Sequence, residues 1–159
     1  MTCDRGSAVW LGSMTAHEAA LGALKQYFGY DSFRPGQQGI VDALLDGRDV
    51  LGVMPTGAGK SVCYQIPAAL TPGVTIVISP LISLMRDQVD ALNDLGLPAA
   101  FVNTTQTPDE QAMVFAQAAA GQLKLLYVAP ERLETGRFRD FAARTPISLI
   151  AVEDRKSTR

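Results

Sequence analysis

Short apolar runs rich in β-branched residues recur along the chain and predict five strands, at 49–53, 74–78, 99–102, 123–128 and 147–152. Their centres lie about 25 residues apart, which is the length of a strand plus a crossover helix. The runs are apolar throughout and do not alternate with polar residues, which is typical of strands buried on both faces. We therefore expect an α/β domain with a mainly parallel sheet.

Between these runs the apolar residues follow helical spacing. The pattern predicts helices over 81–95 and 109–120, each followed by glycine. A third helix is predicted over 60–70, which Pro67 would end or kink.

Two further helices are predicted ahead of the first strand. Thr15 and Glu18 have the spacing of a capping box at the start of one of them, and the apolar face of the other lies at 40–45. The chain is then divided into a non-core extension, two helices, an incomplete α/β domain and a tail, at 1–14, 15–46, 47–152 and 153–159.

Composition narrows the function class. The 159 residues are 47% hydrophobic and 19% charged, which excludes a disordered chain and fits one domain with a full core. The formal net charge of −2 is not that of a small dedicated nucleic-acid binder. Two cysteines, no secretory signal and no apolar run of membrane-spanning length predict a soluble cytoplasmic protein.

The strongest local motif is a glycine-rich loop at 54–61, between a predicted strand and a predicted helix. Its glycines would let successive backbone N–H groups point at phosphate oxygens, beside a helix N-terminus that favours anions. Lys60 would contact the β- and γ-phosphates, and Ser61 would give an oxygen to Mg²⁺. The general pattern requires glycine where the chain has Met54. A glycine turn with a surface lysine is the plainer alternative. The candidate nucleotide-binding residues here are Thr56, Gly57, Ala58, Gly59, Lys60 and Ser61.

Together with this loop, four other stretches make the sequence similar to the RecQ family of superfamily 2 DNA helicases, at 28–38, 78–88, 103–106 and 126–133. The resemblance implies a RecA-like P-loop domain from a 3′–5′ DNA helicase of DNA repair and recombination. It also implies ATP and Mg²⁺ as cofactors, single-stranded or partly duplex DNA as partner, and a second RecA-like domain in the full-length protein.

Segment 33–37 resembles the adenine-recognition segment of that family. Its amide residue, Gln37, has a donor and an acceptor that can pair with adenine N6–H and N7. Tyr30 would stack on the base, and Arg34 would pack over it or hold the segment. The alternative is that Gln37 is only a solvated helix residue.

Two segments, 79–84 and 130–132, resemble motifs that contact the DNA backbone, with candidate contacts Ser79, Pro80, Ser83, Glu131 and Arg132. Hydroxyls and N–H groups at a helix start suit phosphate oxygens, and such contacts carry no sequence information. The plainer interpretation is a turn in which Leu81, Leu84 and Met85 are core, and at 130–132 a helix cap with a surface ion pair.

After 147–152 the family has Asp-Glu-Ala-His, but this chain continues with Glu153 and Asp154 in a basic tail. One back-translation of 153–159 matches the start of a common sequencing-library adapter, so we expect these residues to be non-native. Lys60 is then the candidate catalytic residue, as a phosphate contact, and the site lacks a carboxylate that would activate water. The chain is expected to be an inactive fragment of an ATP-dependent helicase. The alternatives are a noncatalytic orphan P-loop domain and a small-molecule P-loop phosphotransferase.

Overall fold

The computed structural model describes residues 14–55, 57 and 59–154. The predictions for Thr56 and Ala58, for 1–13 and for 155–159 lie outside the described residues. The chain divides into two compact units, the first ending at Thr71 and the second beginning at Pro72. Each unit is described by itself.

The first unit contains three helices, α1 (Ala16–Phe28), α2 (Gln37–Leu45) and α3 (Val62–Leu70). The predicted capping box at α1 is confirmed, since Thr15 accepts a hydrogen bond from the Glu18 N–H and the Glu18 carboxylate accepts one from the Thr15 N–H. The buried core of this unit is small and aliphatic, and consists of Ala20, Ala23, Leu24, Val41 and Ile66.

Pro67 lies inside α3, which continues to Leu70, so this proline does not end the helix. The other predicted effect, a kink, stays a prediction. The end comes at Thr71. Its backbone N–H and its hydroxyl both donate to the Pro67 carbonyl, at 3.0 and 2.7 Å. These two bonds satisfy a carbonyl that the helix end would otherwise leave open.

The strand predicted at 49–53 is also wrong, because this segment has no regular secondary structure. Leu51 and Val53 are 93% and 91% exposed. A strand needs a neighbour to pair its backbone, and the described part of the first unit contains helices only. The backbone instead passes close to α2, where a Cβ built on Gly52 would lie 2.9 Å from Ile40 Cδ1.

Four of the five predicted strands form in the second unit, at β1 (Val74–Ile78), β2 (Ala99–Val102), β3 (Leu125–Val128) and β4 (Ile147–Val152). They make a parallel four-stranded sheet in the order β2-β3-β1-β4, which confirms the predicted α/β class. The helices are α4 (Ile82–Asp94), α5 (Pro108–Ala119) and α6 (Gly136–Arg144), with a 3₁₀ turn at Pro130–Arg132. Across the described ranges, none of the helices is both long and apolar enough to cross a membrane.

Burial follows position in the sheet. All of β3 and four of the five residues of β1 are buried, as a continuous apolar run predicts. The same expectation is wrong for β4, in which Ile150 and Val152 are 59% and 71% exposed. Exposure alternates along β4, with Ser148, Ile150 and Val152 exposed, so one face of this strand is left uncovered.

Helix α6 was not predicted from sequence. It begins at Thr135, whose hydroxyl accepts from the Phe138 N–H, and it brings Phe138 and Phe141 against Phe115 of α5. The ring centroids of Phe115 and Phe141 are 5.0 Å apart. This aromatic cluster belongs to the core beside β1, β2 and β3.

Candidate functional site

The glycine-rich loop of the first unit has the backbone conformation that its glycines permit. Gly57 and Gly59 have φ angles of +82° and +74°, in the left-handed region that other residues rarely adopt. Helix α3 follows with Ser61 at its N-cap position. The prediction that a helix follows the loop is confirmed, whereas the strand predicted before the loop is absent.

Two residues of segment 33–37 hold this loop. The Arg34 guanidinium donates from Nη1 to the Gly57 carbonyl at 3.0 Å. The Gln37 amide donates from Nε2 to the Gly59 carbonyl at 2.9 Å. Hydrogen bonds to Gly57 and Gly59 therefore join two segments that lie more than 20 residues apart in sequence.

The Gln37 side chain is buried, so it is not the solvated helix residue of the alternative interpretation. Its amide oxygen accepts from the Arg34 backbone N–H at 2.8 Å. Both ends of the Gln37 amide thus have partners within the chain. The adenine contact predicted for Gln37 stays a prediction, as does that for Tyr30, which is 52% exposed.

The two residues predicted to contact phosphate and metal are accessible. Lys60 is exposed, and it forms no ion pair with any carboxylate in the described ranges. The Ser61 hydroxyl makes no capping hydrogen bond to α3. Both groups have the chemistry that a triphosphate and its Mg²⁺ require.

Cys63 follows the loop inside α3. Burial raises the pKa of its thiol, which is what a packing residue shows. Its Sγ lies 3.8 Å from Met54 Sδ, so the methionine that replaces the pattern's first glycine packs against the helix that the loop precedes.

In the second unit, the candidate contacts of segment 79–84 divide into buried and exposed groups. Ser79 is 1% exposed, and its hydroxyl accepts from the Leu81 N–H at 3.4 Å. Pro80 and Ser83 are exposed, with Ser83 in the first turn of α4. The geometry makes Ser79 a structural residue of the turn and leaves Pro80 and Ser83 available to a ligand.

The interpretation that Leu81, Leu84 and Met85 are all core is corrected by their exposure. Met85 is fully buried, but Leu84 is 37% exposed and Leu81 is only half-buried. Spacing along α4 turns the Leu84 side chain away from the stripe of Met85, Val89 and Leu92.

The other candidate contacts, Glu131 and Arg132, lie on the 3₁₀ turn after β3. Glu131 is exposed and Arg132 is half-buried. The surface ion pair of the plainer interpretation is absent, because neither residue is ion-paired in the part of the chain that the structure describes.

The carboxylates Glu153 and Asp154 follow β4 directly, and the Glu153 N–H donates to the Ile78 carbonyl at 2.9 Å. Within the described residues, no cluster of three or more His, Cys, Asp or Glu side chains could hold a metal ion. The metal contact predicted for Ser61 stays a prediction.

Comparison with known protein families decides the class of the chain. A family model described as DEAD/DEAH box helicase matches residues 34–150, which include segment 34–37, the glycine loop, the strands β1 to β3 and the first part of β4. The chain belongs to the DEAD/DEAH box helicase family.

Relatives of this DEAD/DEAH box chain confirm its resemblance to the RecQ family. It is 48% identical over 144 residues to "ATP-dependent DNA helicase RecQ" of Haemophilus influenzae, covering 91% of this chain and 23% of that protein. The protein of the same name from Pasteurella multocida is 46% identical over 151 residues, covering 95% of this chain and 24% of the relative. The chain therefore spans about a quarter of the length of these relatives.

A solved structure supports the fold of this helicase-family chain. The protein described as a hypothetical ATP-dependent RNA helicase from Sulfolobus tokodaii superposes with a TM-score of 0.58, covering 85% of this chain and 49% of that one. At 18% identity the likeness concerns the fold alone, and it confirms the expected RecA-like architecture.

The sequence motifs did not identify the carbonyls of Gly57 and Gly59 as the groups that segment 33–37 holds. A backbone acceptor has no residue type of its own, so a motif has no signal for it. Only the glycine spacing indicated that backbone atoms matter at these positions.

Proposed function

We propose that this chain is the nucleotide-binding N-terminal part of a RecQ-like, ATP-dependent DNA helicase. The observation that supports this most directly is the pairing of Arg34 with Gly57 and of Gln37 with Gly59. One nucleotide can contact an adenine-recognition segment and a phosphate loop only if the two lie close together. Their contact in this chain is therefore a reason to expect that it binds an adenine nucleotide.

The nucleotide would occupy the first unit as follows. Tyr30, Arg34 and Gln37 face the base, the glycine loop with Lys60 faces the β- and γ-phosphates, and Ser61 gives one oxygen to Mg²⁺. Bound Mg²⁺ neutralises charge on the phosphate oxygens. Two observations support this assignment. The loop glycines have positive φ angles, and among the described residues Lys60 forms no ion pair and Ser61 makes no capping hydrogen bond.

Single-stranded DNA would contact the second unit at Pro80, Ser83 and Arg132. The relatives with 46% and 48% identity are named DNA helicases, whereas the RNA helicase is only 18% identical, so DNA is the favoured strand. The candidate groups suit phosphate oxygens, and contacts of that kind permit movement along any sequence.

The full-length protein would add a second RecA-like domain, bind ATP between the two domains and unwind DNA in the 3′–5′ direction in the cytoplasm. Closure of two domains around a nucleotide is what changes the hold on a ligand. We expect the 159-residue chain to bind nucleotide and to unwind nothing alone.

Nucleotide binding is tested with a fluorescent ATP analogue, Mg²⁺ and three forms of the chain. Lys60→Ala should weaken binding about tenfold or more, because a charge-assisted phosphate contact contributes about 1.5–3 kcal/mol. Lys25→Ala is the control. It also removes one lysine charge, but Lys25 lies in α1, outside the glycine loop, and forms an exposed ion pair with Asp31. Equal affinity of the unmutated chain and Lys60→Ala would contradict the nucleotide site.

Helicase function is tested on the full-length protein that contains this chain. ATP turnover should rise when single-stranded DNA is added, and a strand annealed to form a 3′ overhang substrate should be released. Turnover that does not respond to DNA would favour the phosphotransferase, and nucleotide binding without any turnover would favour the orphan domain.

A further inference from the structure

The starts of helices α1 and α2 are fixed to different degrees. Thr15 and Glu18 close a capping box at the start of α1. Helix α2 follows Gly36, and no side-chain hydrogen bond caps it. The first residue of α2 is Gln37, which holds the glycine loop at Gly59. The position of Gln37 therefore depends on how α2 is held by the rest of the first unit.

One contact that holds α2 is made by His17, the only histidine of the chain, in the first turn of α1. Its Nδ1 lies 3.3 Å from Nε2 of Gln38 and 3.6 Å from Oδ1 of Asp42. Gln38 and Asp42 are four residues apart in α2, so they lie on one face of that helix. A single nitrogen atom of α1 thus lies between an amide and a carboxylate of α2.

The carboxylate of Asp42 lacks a donor for one of its oxygens. The side chain is 36% exposed as a whole, but its Oδ1 atom is buried and has no hydrogen-bond partner among the described residues. At 3.6 Å the His17 nitrogen is beyond hydrogen-bonding distance. A buried acceptor without a donor costs free energy, so a proton between these two groups would stabilise the contact.

The protonation state of His17 decides which of the two groups it binds. With the Gln38 amide as donor, Nδ1 is an acceptor, and a neutral ring then has no hydrogen at this atom to give to Asp42. An imidazolium ring donates from both nitrogens, so its Nδ1–H would turn to Asp42 at a charge-assisted distance of about 2.8 Å. Protonation therefore exchanges the Gln38 contact for a shorter bond to Asp42.

Three helices supply the titratable and charged groups around His17. In α1 the next residue is Glu18, whose carboxylate and the His17 ring interact electrostatically. The positive end of the α1 dipole acts against this attraction, because it disfavours a cation in the first turn. Asp42 is the one charged residue of α2. Helix α3 packs against both and has no acidic or basic residue, and its titratable side chains, Cys63 and Tyr64, are buried.

We propose that His17, at a position outside every sequence motif, is a positioning residue of the nucleotide site. Its protonated ring binds Asp42 and fixes α2 against the capped start of α1. Gln37 then holds the Gly59 carbonyl in the position that a bound nucleotide requires. Nucleotide binding becomes tighter as pH falls through the range in which histidine gains its proton, between about pH 8 and 5. This role of His17 rests on the proposed function, because it concerns the same nucleotide site.

The test is the affinity of the whole chain for a fluorescent ATP analogue with Mg²⁺, measured between about pH 5.5 and 8. Relative to His17→Gln, the unmutated chain should gain affinity about two- to threefold as pH falls, since a partly exposed ion pair contributes modestly. The nucleotide's own titration is the same for every form of the chain and cancels in this ratio. Asp42→Asn should also lose the pH response, because it removes the partner charge.

Two further variants separate positioning from a merely structural role. His17→Arg keeps its positive charge at every pH, so it should bind at the tighter level without a pH response. Lys25→Ala removes an exposed ion pair of the same helix, with Asp31, and should keep the pH response of the unmutated chain. The Gly59 amide signal in NMR spectra should shift with pH in the unmutated chain and stay constant in His17→Gln.

The same pH profile of affinity for the unmutated chain and His17→Gln would overturn the role of His17 and leave the proposed function intact. Thermal unfolding gives the second readout. An unfolding midpoint that responds to pH through His17, with an affinity that does not, would reveal a structural ion pair only and would also overturn the positioning role. If the unmutated chain binds no nucleotide at any pH, the proposed function fails, and the role of His17 fails with it.

Discussion

The Gln37 side chain donates to the carbonyl of Gly59 at a point where the loop has no room for a side chain. A Cβ built on Gly59 would lie 2.5 Å from Gln37 Nε2, and the φ angle of Gly59 is +74°. Gly57 has a similar φ angle of +82° but open space around its missing Cβ. The two glycines therefore share a backbone conformation and differ in their surroundings.

We expect Gly59→Ala to be more destabilising than Gly57→Ala. Both changes place a side chain at positive φ, which costs about 1–2 kcal/mol, but only Gly59→Ala also collides with Gln37. In a Gln37→Ala background the extra cost of Gly59→Ala should fall by about 1 kcal/mol, since neighbouring residues in contact are not additive. Urea unfolding of the four proteins of this cycle measures the coupling.

The matched cycle with Gly57→Ala is the control, and its two changes should add within about 0.5 kcal/mol. If Gln37→Ala relieves both glycine variants equally, the contact between Gln37 and Gly59 is not the source of the effect.

Ser79 and Ser83 should respond differently to alanine. Ser79→Ala removes a buried hydroxyl that accepts from the Leu81 N–H, so it should lower the free energy of unfolding by about 1 kcal/mol. Ser83→Ala changes an exposed side chain and should leave stability within about 0.5 kcal/mol. Its effect should be on oligonucleotide affinity. A Ser83→Ala chain that loses stability as Ser79→Ala does would refute this assignment.

The capping box of α1 should make stability depend on pH. Hydrogen bonds from the Thr15 backbone and hydroxyl lower the pKa of Glu18 below its ordinary value of 4.5. A lowered pKa in the folded state means that the ionised carboxylate stabilises the fold above the ordinary value, and that this contribution is lost as pH falls through the folded-state pKa.

Glu18→Ala should therefore lower the free energy of unfolding near neutral pH, because it removes the carboxylate that accepts from the Thr15 N–H, and the difference from the unmutated chain should narrow as pH falls below 4.5. Thr104→Ala, which removes an exposed hydroxyl without a hydrogen bond in the described ranges, should be neutral throughout. Denaturant unfolding as a function of pH is the measurement. A cost for Glu18→Ala that stays constant down to acid pH would contradict the linkage.

Much of the sheet could be predicted because a parallel strand buried on both faces leaves a continuous apolar run, as at 74–78 and 125–128. The run at 49–53 is also rich in apolar residues, but the described part of the first unit contains no strand to pair with it, and composition alone does not report a neighbour. Helix α6 was not predicted because Phe141 is its one buried residue, and a single buried position gives no helical repeat of apolar residues in the sequence.

The site was predictable where residue type carries the chemistry, as at Lys60 and Ser61. It was not predictable where tertiary packing decides. Ser79 has the same side chain as Ser83, and only burial separates them.

Two segments of the chain expose pairs of apolar side chains, and this has a practical consequence. Leu51 and Val53 lie in the irregular segment 49–53, and Ile150 and Val152 lie in β4. An edge strand with apolar side chains and an accessible backbone is a template for pairing between molecules, and proteins normally protect such edges with charge or proline. Concentrated preparations of the chain should be prone to cross-β aggregation. Ile150→Lys would place a charge on the β4 edge and is expected to reduce this pairing.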